Sequence, residues 1–152
     1  MEREEYYTLK GYRLREESPV TEAMEDYVEM LFREGGAEGV RVGRLARLLH
    51  VRPSSVTKMA AVLRRQGLAD YQPYGRITLT PQGTELGRYL LRRHQVLRRF
   101  FQLLNGPDSS LEEVEQLEHF IRPGTLERLE RLIPILSSWE RKEDPEQKSA
   151  ST

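Results

Sequence analysis

Two sets of side chains in this sequence have the types and spacing to bind a metal ion. Asp26 and Glu29 stand three residues apart, so a helix would project both carboxylates from one face. Glu115, Glu118 and His119 follow the i, i+3, i+4 pattern that aligns all three in the same way, and His94 lies between the two groups in sequence. Carboxylates with one or two imidazoles suit manganese, iron or zinc better than copper. The chain has no cysteine, which removes thiolate sites, iron–sulfur clusters, disulfides and a thiol nucleophile. Two neighbouring cations would neutralise carboxylates that otherwise repel one another. Spacing alone does not choose these residues, because His50, Glu112 and Glu113 are equally eligible and surface glutamates recur at such steps on many helices. Paired carboxylates and histidines around two metals also serve hydrolases. Here no separate general base, glycine-rich substrate loop or large α/β scaffold accompanies them, so the reading is not an enzyme and has no small-molecule substrate.

A second set could contact nucleic acid. The net charge is zero, from 24 basic and 24 acidic residues, but the charges are segregated. Residues 1–38 sum to −6, 41–76 to +7, 77–104 to +4 and 105–152 to −5. Within the basic stretch, Pro53, Ser54, Ser55, Thr57 and Lys58 would lead a helix with small or polar groups suited to base edges and backbone. Arg52, Arg64, Arg65 and Arg76 are candidates for phosphate contacts. The alternative is a solvated basic face on a structural helical domain.

The elements that must position these groups follow from hydrophobic period and turn chemistry. After a charged, aromatic extension at 1–18, Met24, Tyr27, Val28, Leu31 and Phe32 mark a helix that Gly35-Gly36 stops. Val42, Leu45, Ala46 and Leu49 mark a short second helix, and Val56, Met59, Ala60 and Leu63 a third ending at Gly67. Two β-favouring runs around Pro73-Tyr74-Gly75 predict a hairpin. That order is a winged helix-turn-helix at 19–80. A long helix from Pro81, a fifth helix over LEEVEQLEHFI and a sixth opened by Pro123 predict a mainly α-helical second domain at 81–141, followed by a disordered tail at 142–152. No apolar run is long enough to span a membrane and no export leader is evident, so the expectation is a cytoplasmic protein.

Five stretches resemble the diphtheria toxin repressor family, and within it the manganese transport regulators. They are MEDYVEML (24–31), VRPSSVTKMAAVLRRQGL (51–68), YGRITLTPQG (74–83), RRHQVLRRF (92–100) and VEQLEHFI (114–121), in family order and at family spacing over roughly residues 21–135. The resemblance implies a winged helix-turn-helix domain joined by a long helix to an α-helical dimerisation domain, with metal bound between them. It also implies a two-ion site at Asp26, Glu29, His94, Glu115, Glu118 and His119. The iron-responsive branch has methionine where Asp26 stands and cysteine where Glu118 stands, so the harder donors here point to Mn²⁺, with Fe²⁺, Zn²⁺, Co²⁺ or Cd²⁺ as substitutes. The function implied is a manganese-responsive repressor that binds double-stranded operator DNA as a homodimer and controls manganese uptake. The alternatives are an iron- or zinc-responsive member of the same family, or a winged-helix regulator that needs no metal. The 1–18 extension is longer than the family pattern, and the chain is too short for the SH3-like domain often found in the iron branch.

Overall fold

The structure, a computed structural model, describes residues 19–143 except Pro73 and Ser110. The extension at 1–18 and residues 144–152 of the expected tail lie outside the described residues. Helix α1 (Glu22–Gly35) begins where the Thr21 hydroxyl accepts from the Met24 amide at 3.3 Å, satisfying a donor the first turn leaves free. Its inward face is Met24, Tyr27, Val28 and Leu31, all buried. Strand β1 (Val40–Arg41) leads into α2 (Val42–Leu48), and α3 (Pro53–Arg65) opens on a proline, whose missing N–H costs nothing at a first helical position. Strands β2 (Ala69–Tyr71) and β3 (Arg76–Leu79) pair antiparallel with Asp70 opposite Thr78.

The sequence predicts only this hairpin, whereas the sheet has three strands in the order β1-β3-β2, with Val40 opposite Ile77. Two residues are too few to show a period, which is why β1 is read as loop from sequence. Val28, Leu45, Val56, Leu63, Ile77 and Leu90 are all but fully buried and form the core of this winged helix-turn-helix domain.

Helix α4 (Pro81–Asn105) has 25 residues and is thus about 37 Å long at ~1.5 Å per residue. Leu90 closes the first core, while Val96 and Leu97 belong to a second with Val114 and Leu126. One helix therefore joins both domains. Two glycines seat its first half: a Cβ on Gly83 would collide with the Leu68 carbonyl oxygen, and one on Gly87 would come within 2.6 Å of the Phe32 Cβ.

The fifth helix differs from expectation. Helix α5 covers only Leu111–Leu117, and Glu118–Phe120 form a 3₁₀ turn before α6 (Pro123–Glu143). Pro123 disfavours helical geometry at Arg122, so the chain must leave the α-helix beforehand, and Ile121 is already extended (φ −81°, ψ 116°). The last turn tightens as helix ends commonly do. Among the described residues no helix is long and apolar enough to cross a membrane.

Candidate metal centre and nucleic-acid interface

Three segments meet beside α4. Helix α1 contributes Glu25, Asp26 and Glu29, α4 contributes Arg93 and His94, and the 3₁₀ turn contributes Glu118 and His119. The side chains of Asp26, Glu118 and His119 each offer one ligand atom, all within 4.8 Å of one another. His119 Nε2 is 3.3 Å from Asp26 Oδ1, and its Nδ1 is 2.7 Å from Glu25 Oε2. His94 Nδ1 lies 3.0 Å from Glu118 Oε2, with both side chains buried. Glu29 is buried as well, but its carboxylate meets Arg33 Nη2 at 2.5 Å. Glu115 is exposed. Of the six expected ligands, four are thus gathered directly, Glu29 stands on the same helix but holds an arginine, and Glu115 faces solvent. Glu115 lies in α5, ahead of the 3₁₀ turn that carries Glu118 and His119.

Both imidazole nitrogens of His119 face carboxylates. The contacts with Asp26 and Glu25 push its pKa up from 6.5 to about 10, against the opposing effect of burial. Burial pushes the Glu25 carboxyl up in turn, yet the hydrogen bonds from His119 and Arg93 outweigh it and hold Glu25 below its ordinary range. Arg93 is buried and donates to Glu25 Oε2 at 2.8 Å and Oε1 at 3.4 Å, so a guanidinium and a protonated imidazole balance these acids. The donors fit a divalent cation of the harder kind: oxygens and imidazole, drawn from two domains, in a group where the positive charge on His119 is exchangeable.

Sequence reasoning missed Glu25 and Arg93. A signal for Arg93 exists, because Leu90, Arg93 and Leu97 fall at i, i+3 and i+7, which puts a charge on the apolar stripe of α4. Glu25 is simply one more acid beside Asp26.

In the first domain, Arg52 and the leading α3 residues Pro53, Ser54, Ser55, Thr57 and Lys58 are exposed while Val56, Ala60 and Leu63 are buried. Thr57 Oγ1 donates to the Pro53 carbonyl at 3.2 Å. Arg65 is exposed, and Arg64, also exposed, reaches the Tyr71 carbonyl at 3.4 Å. Arg76 is exposed too, but its guanidinium donates to the Gly39 carbonyl at 3.0 Å, which ties β3 to the approach of β1. A cavity of about 450 Å³ separates α3 from the wing, lined by Thr57, Arg41, Tyr71 and Tyr74 among others. Tyr74 projects fully into solvent at the wing tip, in left-handed backbone (φ 63°).

A helix-turn-helix with a three-stranded wing, joined through one shared helix to a helical unit and clasped by acids and histidines at the junction, defines a metal-dependent DNA-binding regulator. Residues 19–77 match the family domain described as iron dependent repressor, N-terminal DNA binding domain, and residues 80–145 its metal binding and dimerisation domain. The chain belongs to this iron-dependent repressor family, one of transcriptional regulators rather than enzymes. It is 34% identical over 118 residues to the HTH-type transcriptional regulator MntR of Lysinibacillus sphaericus (strain C3-41), covering 76% of this chain and 85% of the relative. With the regulator of the same name from Listeria welshimeri serovar 6b it shares 37% over 121 residues, 78% of this chain and 84% of the relative.

Among solved structures, it is similar to ScaR with bound Zn²⁺ (TM-score 0.61, 29% identity, 73% of this chain and 53% of that one). It is also similar to a manganese-dependent transcriptional repressor in complex with manganese (TM-score 0.61, 26% identity, 73% and 52%). The chain spans about half the length of those two structures.

Proposed function

We propose that this repressor responds to manganese, binds double-stranded operator DNA as a homodimer in the cytoplasm, and controls manganese uptake. The observation that carries the reading is the 3.3 Å approach of Asp26, on the first helix of the DNA-binding domain, to His119 in the second domain. Asp26, Glu118 and His119 would hold the first ion with His94 alongside. A second ion would draw on Glu29, released from Arg33, and on Glu115, as the family resemblance implies. Carboxylates at positions 26 and 118 are the hard donors that favour manganese over softer metals. The names of similar proteins support the same metal. Leu132, Ile135 and Trp139, exposed at i, i+3 and i+7 on α6, support a second copy of the chain as the cover for that face.

The cation, when bound, supplies a positive charge that acids from both domains can share. Asp26 then holds the DNA-binding domain, through α1, against the 3₁₀ turn that carries Glu118 and His119. Restricting that motion fixes the separation of two α3 helices in a dimer, so less order remains to be imposed when they meet two operator half-sites. Titrating Mn²⁺ into the metal-free protein with operator DNA tests this: affinity should rise with manganese, and an affinity indifferent to it would sink the reading.

A further inference from the structure

We infer that Glu25 and Arg93 are positioning residues of the metal centre: Arg93 fixes Glu25, and Glu25 holds the Nδ1 side of His119 so that Nε2 is the ligand atom. This rests on the metal reading above. Arg93 Nη2 (2.8 Å) and His119 Nδ1 (2.7 Å) converge on one oxygen, Glu25 Oε2, which is why Arg93 and His119 stand only 3.4 Å apart. With Nδ1–H donating to Glu25, the Nε2 edge is turned towards Asp26 and the three-ligand group. A ligating histidine whose other ring nitrogen donates to a carboxylate has its tautomer and ring angle fixed.

Arg93 is what keeps Glu25 in that role. Its side chain is 3% exposed, its Nε is buried without a hydrogen-bond partner, and its guanidinium lies 5.9 Å from the Tyr89 ring centroid. Leaving a donor unmet in a buried site is unfavourable, and the closest return around Arg93 is its pair of hydrogen bonds to Glu25, beside its contacts with His119 and Tyr89. A guanidinium does not deprotonate in proteins, so it compensates the Glu25 charge with or without a bound cation. Glu25 is thereby left as an acceptor for His119 and withheld from the metal. The three residues come from α4, α1 and the 3₁₀ turn, so the relay runs through every segment that builds the centre.

The test uses the full chain, freed of metal by chelation, with Cd²⁺ as a diamagnetic probe and Mn²⁺ for affinity. In the unaltered protein, cadmium–nitrogen coupling should identify Nε2 of His119 as the bound atom, with Nδ1 protonated. Glu25→Ala should weaken Mn²⁺ by about 10- to 100-fold, the range typical for loss of a partner behind a metal ligand, without changing the number of ions bound. Glu25→Gln, which keeps an acceptor oxygen, should recover part of that loss. Arg93→Gln should show the same weakening in the folded fraction that thermal melts identify. Coupling through Nδ1, an ion lost from the stoichiometry of Glu25→Ala, or unchanged affinity in that variant would each overturn the inference. An unaltered protein that binds neither Cd²⁺ nor Mn²⁺ would instead overturn the metal reading on which it rests.

Discussion

Gly87 of α4 lies against Phe32 of α1 so closely that a methyl group at position 87 would come within 2.6 Å of the Phe32 Cβ. That atom is fixed to the α1 backbone and cannot swing aside, so the helices themselves would have to separate. Gly87→Ala should therefore destabilise the fold by about 1–3 kcal/mol, the usual cost of overpacking, despite alanine's ~1 kcal/mol advantage in helices. Urea unfolding should show a lower midpoint. A higher one would mean that α1 and α4 are not in this contact.

Replacing a proposed direct ligand should do more damage to metal binding than to folding. His119→Ala removes one of the three donors that lie within 4.8 Å of one another, and its loss of Mn²⁺ affinity should exceed the roughly 10- to 100-fold expected for an outer partner. Calorimetric titration would measure it, and Glu115→Ala beside it would report whether the exposed Glu115 joins the site at all.

The metal-free protein should have an alkaline weakness. His119 is raised from 6.5 to about 10 on folding, so its contribution to stability is fully present below 6.5 and is lost as pH climbs towards 10. Glu25 is depressed from 4.5, so its contribution is present above that value and fades as acid protonates it. Melting temperatures in chelator should thus fall on both sides of a plateau between about pH 4.5 and 6.5, and His119→Gln should flatten the alkaline side.

On the face proposed to meet DNA, Lys58 and Ser55 should separate two kinds of contact. Lys58→Ala should weaken all sequences alike and reduce the salt slope of log affinity by ~0.9, as for one lost phosphate contact. Substitution of Ser55 should instead relax discrimination at one operator position, by about 1–3 kcal/mol if it reads a base edge. Binding titrations at several salt concentrations, on operator and mismatched duplexes, distinguish the outcomes.

The helices of this protein are legible because their apolar residues repeat. Val56, Ala60 and Leu63 mark α3, and the long stripe of α4 announces a helix shared between domains. Strand β1 is hidden because two residues have no period, and the 3₁₀ turn because Glu118 and His119 continue an apparently helical spacing until Pro123 ends it. The centre was legible only in part for the same reason. Types and steps nominate many acids, while burial separates them only in the fold, where Glu29 and Glu118 are buried and Glu115 is exposed. Glu25 and Arg93 illustrate the remainder: their importance lies in meeting across 68 positions of sequence, a distance no local pattern reports.

Gly83 and Gly87 also divide the working parts of the molecule unequally. By seating the first half of α4 on the winged domain, they fix where Arg93 and His94, about two turns further on, stand relative to Glu25, Asp26 and Glu29 of α1. Glu25, Asp26, Glu29, Arg93 and His94 thus lie on α1 and α4, whereas Glu115, Glu118 and His119 lie on α5 and the turn after it. On the proposed reading, α1 and α4 would form most of the socket for the ion, and α5 with its 3₁₀ turn would complete it. On that reading, a change that displaces the turn after α5 would retune the response to metal while leaving the α3 residues proposed to meet DNA untouched.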